Sequence, residues 1–184
     1  MNKLAETLER IDAYNAADPH GREKEYSERL TFWVLKLQPQ ASEVLRIAAR
    51  GQHIGRWTLP RESYPMDRGG YLRWREELKR FHAKTVGEIM QQAGYDPALI
   101  ERAQSIIMKK NLATDPEAQT IEDALCLVFL ETQFEDLQSK TPEEKMIPII
   151  QKTWKKMSPA ARDLALQLPM PEEQGRLIGK ALKK

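Results

Sequence analysis

The stretch that decides the fold covers residues 41–55 and reads ASEVLRIAARGQHIG. A stripe of apolar residues at this spacing is typical of a helix that faces a core. Gln52 closes the stripe with His53 beside it, so this polar helix end points toward the interior near one rim. Burying such groups is costly unless they have partners, so the pattern predicts partners at this rim. The apolar positions are Ala41, Val44, Leu45 and Ala48.

Three other segments place a polar residue at one end of an apolar helical stripe. Tyr26 leads into Leu30 and Trp33, His82 leads into Val86 and Ile89, and Asp123 leads into Leu127 and Leu130. If these helices pack against the one that ends at Gln52, the polar ends become partners for one another, for a metal or for a ligand.

Helical spacing continues through almost the whole chain, and no convincing alternating strand is present. Four pairs of a capping residue and a proline mark helix starts, at Asp96, Asp115, Thr141 and Ser158, and Thr141 with Glu144 also forms a capping-box pattern. We therefore predict an all-α fold in a single domain, 1–184. The predicted helices are 3–16, 24–37, 41–52, 69–93, 96–110, 118–138, 142–157, 159–167 and 171–182.

The composition excludes several classes of protein. With 29 basic and 27 acidic residues among 184, bulk charge gives no indication of nucleic-acid binding. Cys126 alone excludes a disulfide framework and fits a reducing compartment. The charged N-terminal stretch 1–16 does not resemble a secretory signal, and no apolar run is long enough to cross a bilayer. We expect a soluble cytoplasmic protein without a membrane partner.

One stretch of the sequence, from Gly55 to Gly70, is irregular and as long as many functional loops. Aromatic and cationic residues on one loop suit the binding of a planar or anionic group. A loop that packs its own aromatic residues on the domain surface explains the composition equally well. The residues in question are Arg56, Trp57, Arg61, Tyr64 and Arg68.

The four polar helix ends resemble the ligand pattern of the HD-domain superfamily of metal-dependent phosphohydrolases, whose members are all-helical. The family's His-Asp-Ile-Gly run is similar to residues 52–55, and its later His and final Asp are similar to His82 and Asp123. Its opening His aligns with Tyr26. The resemblance covers residues 20–138 as an HD-like core and leaves 139–184 as C-terminal buttressing helices. The whole chain also resembles an uncharacterised family known as a domain of unknown function.

This resemblance implies one divalent metal, Mn, Fe, Zn or Mg, held by His53, His82 and Asp123. The ligand positions depart from the family pattern, because Tyr26, Gln52 and His53 stand where His, His and Asp are usual. A hydrogen-bonded polar cluster with no metal at all is therefore the alternative, since amides and phenols are good hydrogen-bond partners and poor ligands.

Cations near this predicted site indicate an anionic ligand, because Arg pairs with phosphate through two bonds and Lys supplies a point charge. Arg56 and Lys84 are the candidate catalytic residues. The same cations would also suit solvated helix faces. The candidate substrate-binding residues are Tyr26, Arg50, Gln52, Arg56, Lys109 and Lys110.

Two functions follow from these expectations. The first is a metal-dependent phosphohydrolase that acts on a nucleotide or other phosphate ester. The second is a non-catalytic module that binds a nucleotide or other small phosphorylated anion. An interaction protein with a vestigial pocket is a third, weaker interpretation. The sequence names neither the substrate nor the oligomeric state.

Overall fold

The computed structural model describes residues 2–183, and within them every regular element is helical. The predicted all-α fold is confirmed. The ten α-helices are α1 (Lys3–Ala16), α2 (Glu23–Leu37), α3 (Glu43–Gly51), α4 (Arg68–Gln92), α5 (Pro97–Ile107), α6 (Pro116–Val128), α7 (Phe134–Lys140), α8 (Glu143–Lys156), α9 (Pro159–Leu166) and α10 (Glu172–Leu182).

Most predicted helix bounds are correct to within two residues, with two corrections of substance. The helix predicted for 96–110 ends at Ile107, because Lys109 adopts a positive φ of 53° that a right-handed helix cannot contain. The single helix predicted for 118–138 is divided by a π-helical turn, Phe129–Gln133. Two short 3₁₀ turns, Arg56–Thr58 and Arg61–Ser63, occupy the stretch predicted to be irregular.

The proline signatures mark helix starts correctly, but one predicted cap is wrong. Asp96 and Ser158 are N-cap residues, and the Ser158 hydroxyl accepts a hydrogen bond from the Ala161 amide at 3.3 Å. At the third signature the N-cap is Pro142, and no side chain caps α8. Thr141 therefore does not form the predicted capping box, because α8 begins one residue too late for its hydroxyl to reach the first turn.

Contacts divide the chain into two compact units, the first ending at Ala118 and the second beginning at Gln119. The prediction of one domain stays a prediction. In the first unit, α3 packs against α1, α2, α4 and α5. Its Ser42 cap accepts a hydrogen bond from the Leu45 amide at 3.0 Å, and its apolar stripe is buried. The segment that ends at Gln52 thus lies at the centre of the first unit.

The second unit contains most of α6 together with α7 to α10, and in it α8 packs against α10. Pairing α8 with α10 also brings Glu143 against Arg176 and Lys180. Its buried apolar residues include Leu127, Phe134, Met146, Ile150, Leu177 and Ile178.

No helix within residues 2–183 combines the length and the apolar character that crossing a membrane requires.

Candidate functional site

The turn that follows α3 places His53 and Arg56 side by side, and two glycines make it possible. A Cβ on Gly51 would lie 2.2 Å from the Val86 side chain, so only glycine allows α3 to approach α4 this closely. Gly55 has a φ of +65°, and a Cβ there would lie 2.7 Å from the Phe81 ring. The Arg56 amide donates to the His53 carbonyl at 3.1 Å, which closes the turn.

His82 is fixed in one tautomer by this turn. Its Nδ1 lies 2.7 Å from the Ile54 carbonyl oxygen, which can only accept, so Nδ1 carries the proton. Burial is the main cause that lowers the His82 pKa to about 4, with Arg56 and Arg75 adding to the effect. At neutral pH the imidazole is therefore uncharged, and its Nε2 is unprotonated.

His53 lies between Tyr26 and His82. Its ring is stacked on Tyr26 with centroids 4.5 Å apart and is tilted against His82 at 5.9 Å. Burial lowers the pKa of His53 well below its usual value, and the charges of Arg56 and Lys109 act in the same direction. Within the described residues, neither ring nitrogen of His53 has a hydrogen-bond partner. The His53 ring is thus held by its contacts with two other rings, while its nitrogens keep their capacity for hydrogen bonds.

Arg56, like His53, is held by a contact with an aromatic ring. Its guanidinium lies over the Trp74 ring, 4.9 Å from the centroid, and Trp74 is itself fixed by donating to the Leu59 carbonyl at 2.8 Å. Burial lowers the Arg56 pKa from its usual value. Among the described residues, no group accepts a hydrogen bond from the guanidinium. Five donors are thus held in a plane without a protein acceptor.

Glu23 is the acidic member of the site. Burial raises its pKa to about 7, and the nearby charge of Asp18 adds to the rise while Arg56 and Arg22 oppose it. Its Oε2 is buried without a hydrogen-bond partner. At neutral pH this carboxyl is therefore only partly ionised and neutralises Arg56 incompletely.

These residues form a cluster in the first unit, which we call the His53–Arg56 cluster. Glu23, His53 and Arg56 each keep some accessible surface, and burial is the main cause of the pKa shift of each. Arg75 and Lys109 add positive charge that the His53 ring senses. The members of the cluster are Glu23, Tyr26, His53, Arg56, Trp74 and His82.

Gln52, predicted to bind substrate, connects two helix ends. Its Nε2 donates to the carbonyl of Ile107, the last residue of α5, at 3.2 Å. Its Oε1 is buried without a partner. This bond fixes the end of α5 next to the turn and places Lys109, two residues further on, near the His53 ring.

The other predicted cations lie in different surroundings. Arg50 Nε lies 3.2 Å from the Asp12 carboxylate, so it has an acidic partner inside the unit. The Lys84 side chain is 77% exposed and lies 3.8 Å from Glu88. Lys110 is exposed, whereas Lys109 is half-buried. The structure thus brings Tyr26, His53, Arg56, His82 and Lys109 together, and it gives Arg50 and Lys84 other neighbours.

Asp123 is buried in the second unit, where both of its oxygens accept hydrogen bonds. Ser158 donates to it twice, from the backbone amide at 2.8 Å and from the hydroxyl at 2.6 Å, and Gln119 Nε2 donates at 2.9 Å. Ser158 is the N-cap of α9, so Asp123 fastens the junction between α8 and α9. We call Asp123, Gln119 and Ser158 the Asp123 junction.

The described residues contain no group of three or more His, Cys, Asp or Glu side chains that could hold a metal. Catalytic metal sites usually have three protein ligands, and among the described residues no carboxylate, that of Glu23 included, is placed to join the two imidazoles as a third. The donors present do not fit such a site, and the assignment of His53, His82 and Asp123 to a metal stays a prediction.

The fold defines the class as an all-helical protein, and the first unit of this protein contains a cluster of histidine, arginine and aromatic side chains. The chain belongs to the family described as Domain of unknown function (DUF4202), whose profile matches residues 5–178. No curated protein and no solved structure gives a match.

Sequence reasoning identifies neither Glu23 nor Trp74 as a site residue. Glu23 lies one turn before Tyr26, and residues three apart share a helix face, so the spacing contains a signal for it. Trp74 is buried, and its contact with Arg56 joins two segments that are 18 residues apart in the sequence. No local pattern indicates that contact.

Proposed function

We propose that the His53–Arg56 cluster binds a small phosphorylated anion, such as a nucleotide, and that the protein acts as a binding module. The observation that carries this proposal is the guanidinium of Arg56, which is held over Trp74 and has no acceptor among the described residues. Arg56 is half-buried, so its N–H groups are accessible to a ligand. A ligand with acceptor oxygens is the partner that suits a planar fork of N–H groups.

The charges of the His53–Arg56 cluster and its neighbours also favour an anionic ligand. Arg75 and Lys109 lie close enough to Arg56 or His53 to affect a pKa, and Glu23 is the acidic group that opposes them. Two rings in the cluster are neutral at pH 7, so they add no charge of their own but can exchange hydrogen bonds with a ligand. An anion would relieve the repulsion among these cations and satisfy the open edges of Arg56 and His53.

A thermal-shift titration with inorganic phosphate, pyrophosphate and adenine nucleotides tests this proposal. A ligand that binds only the folded state stabilises it by about 2.7 kcal/mol at a concentration of 100 times Kd. We expect at least one of these anions to raise Tm and Arg56→Ala to abolish the rise. Arg80→Ala is the matched control, because it removes the same charge from an exposed position beside Glu76.

Two outcomes contradict the proposal. One is the absence of any stabilisation by phosphate, pyrophosphate or nucleotide at low ionic strength, where charge interactions are screened least. The other is a Tm rise that Arg56→Ala and Arg80→Ala reduce equally, because that result indicates general charge attraction rather than this site.

A metal-dependent phosphohydrolase related to the HD superfamily is the second candidate. The observation that favours it is the Nδ1–H of His82 donating to the Ile54 carbonyl, since histidines that bind metals usually donate their other N–H in this way. It ranks second because no third His, Cys, Asp or Glu among the described residues is placed to hold a metal with the two imidazoles. Elemental analysis of protein purified without a metal-affinity tag, with a phosphatase assay after addition of manganese, separates the two candidates. Sub-stoichiometric metal and no gain in activity would exclude the hydrolase.

A further inference from the structure

The second unit contains a cavity of about 180 Å³ that shares no lining residue with the His53–Arg56 cluster or the Asp123 junction. This volume is roughly that of six water molecules in the liquid, enough for a small organic group. Its apolar lining includes Leu168, Pro169 and Pro171, which connect α9 to α10. The rest of the lining includes residues of the π-helical turn Phe129–Gln133 and of the start of α7.

Gln174 is the polar residue that points to a ligand here. It lies in the first turn of α10, is only 5% exposed and lines the cavity. Its side-chain amide has no hydrogen-bond partner among the described residues, although its backbone amide donates to the Pro171 carbonyl at 3.0 Å. Buried side-chain amides are normally satisfied. The amide of Gln174 therefore has hydrogen-bonding capacity that faces the cavity.

The π-helical turn is a second, independent observation. A π-helical turn inserts an extra residue into a helix and is frequent at functional sites. Here it supplies Leu130, Glu131 and Thr132 to the cavity lining. The π-helical turn therefore contributes residues to the lining of the same cavity as Gln174.

The charges of the residues that line the cavity indicate which class of ligand it binds. Glu135 contributes a carboxylate, and none of the described residues that line the cavity is basic. The amide oxygen of Gln174 can accept a hydrogen bond from an N–H group. Apolar walls at Leu168, Pro169 and Pro171 suit an alkyl body. We propose that this cavity is a binding site for a small organic cation, an alkylammonium or alkylguanidinium group.

An NMR titration of the ¹⁵N-labelled full chain with n-butylammonium tests this site, with butyrate and 1-butanol as size-matched anionic and neutral probes. We expect saturable shifts for n-butylammonium at the Gln174 side-chain amide and at residues 130–135 and 168–174. The two other probes should give no saturable shifts. Equal shifts from all three probes, or no saturation by n-butylammonium, would overturn the proposal.

Two variants locate the interaction. Gln174→Met keeps the length of the side chain and removes the amide, so it should weaken n-butylammonium binding about tenfold, the usual effect of losing a hydrogen bond to a charged group. Glu135→Gln removes a charge at an exposed position and should weaken binding a few-fold without affecting folding. If Gln174→Met fails to fold, the affinity of Glu135→Gln for n-butylammonium tests the site by itself. Unchanged affinity in the variants that fold contradicts the proposed site.

Discussion

The His53–Arg56 cluster and the Asp123 junction both place polar groups inside the protein, but they differ in how many hydrogen bonds those groups make within the described residues. At the junction, each oxygen of Asp123 accepts at least one hydrogen bond. In the cluster, the guanidinium of Arg56 and the ring nitrogens of His53 make no hydrogen bond to any of the described residues. Both sets appear alike in the sequence, as polar residues at the ends of apolar stripes.

This difference separates structural from ligand-binding polar groups. A buried group whose hydrogen bonds are complete contributes to stability, because removing it leaves its partners unsatisfied. A group that is oriented by stacking but has open donors contributes little hydrogen-bonding energy until a ligand arrives. Substitutions at the junction should therefore act on stability, and substitutions in the cluster should act on binding.

The largest effect is expected at the junction. Asp123→Ala removes the acceptor of three hydrogen bonds, including that of the Ser158 backbone amide, and should lower the free energy of unfolding by about 3 kcal/mol. Urea denaturation followed by circular dichroism measures this loss as a lower midpoint at an unchanged m-value. Asp123→Asn is the control, because it keeps one acceptor oxygen and should lose less.

Asp123→Ala would contradict the difference between the two sites if it affected function rather than stability. A stability change of less than about 0.5 kcal/mol, the size of an ordinary surface substitution, combined with loss of bound metal or activity, would return Asp123 to the predicted metal site.

The next effect concerns Arg56 in the cluster. Arg56→Lys keeps the charge but loses the planar fork and its stacking on Trp74, so we expect about a tenfold loss of affinity for phosphate or nucleotide. Isothermal titration calorimetry measures it, and Arg80→Lys is the matched control. Equal affinity in wild type and Arg56→Lys would show that only the charge matters and that the stacked geometry does not.

The sequence predicts much of the fold and less of the site, for a physical reason. Helices depend on local periodicity and caps, so α1 and α9 are placed almost to the residue. The π-helical turn Phe129–Gln133 has ordinary helical composition, and nothing local distinguishes it from the predicted continuous helix. The end of α5 is also missed, because the positive φ of Lys109 follows no glycine or proline signal.

Site residues were predicted from where helices end, which indicates burial but not partners. That rule correctly brings Tyr26, His53 and His82 together. It cannot distinguish Asp123 from them, because the hydrogen bonds from Ser158 depend on a contact 35 residues away in sequence. Arg50 and Arg56 are likewise equivalent as flanking cations, yet Arg50 lies within ion-pair distance of Asp12, whereas Arg56 is stacked over Trp74 and interacts with Glu23 only at longer range.

A smaller effect should appear in the pH dependence of Glu23→Gln. Burial raises the Glu23 pKa in the folded protein from 4.5 to about 7, so between these values the folded state holds a proton that the unfolded chain has lost. Stability therefore falls as pH rises through this window. Glu23→Gln should raise Tm at pH 8, where the buried carboxylate is charged in wild type, and change it little at pH 5.

His82 provides an internal reference for that measurement. The pKa of His82 is lowered from 6.5 to about 4, so the folded protein favours the neutral imidazole. Stability therefore falls as pH falls through that range, which is the opposite of the pH dependence caused by Glu23. In Glu23→Gln the acid-side loss should remain, because the substitution does not affect the burial of the imidazole. A Tm that falls equally with rising pH in wild type and Glu23→Gln would show that Glu23 does not carry the predicted charge effect.

The smallest effect is expected at Lys84, which the sequence suggested as a catalytic residue. Its side chain is 77% exposed and lies 3.8 Å from Glu88 one turn later, an arrangement that usually contributes less than about 0.5 kcal/mol. Lys84→Ala should leave both the urea midpoint and phosphate affinity unchanged within error. A loss of affinity as large as that of Arg56→Ala would extend the binding site along α4 and remove the distinction between open and satisfied cations on which the comparison depends.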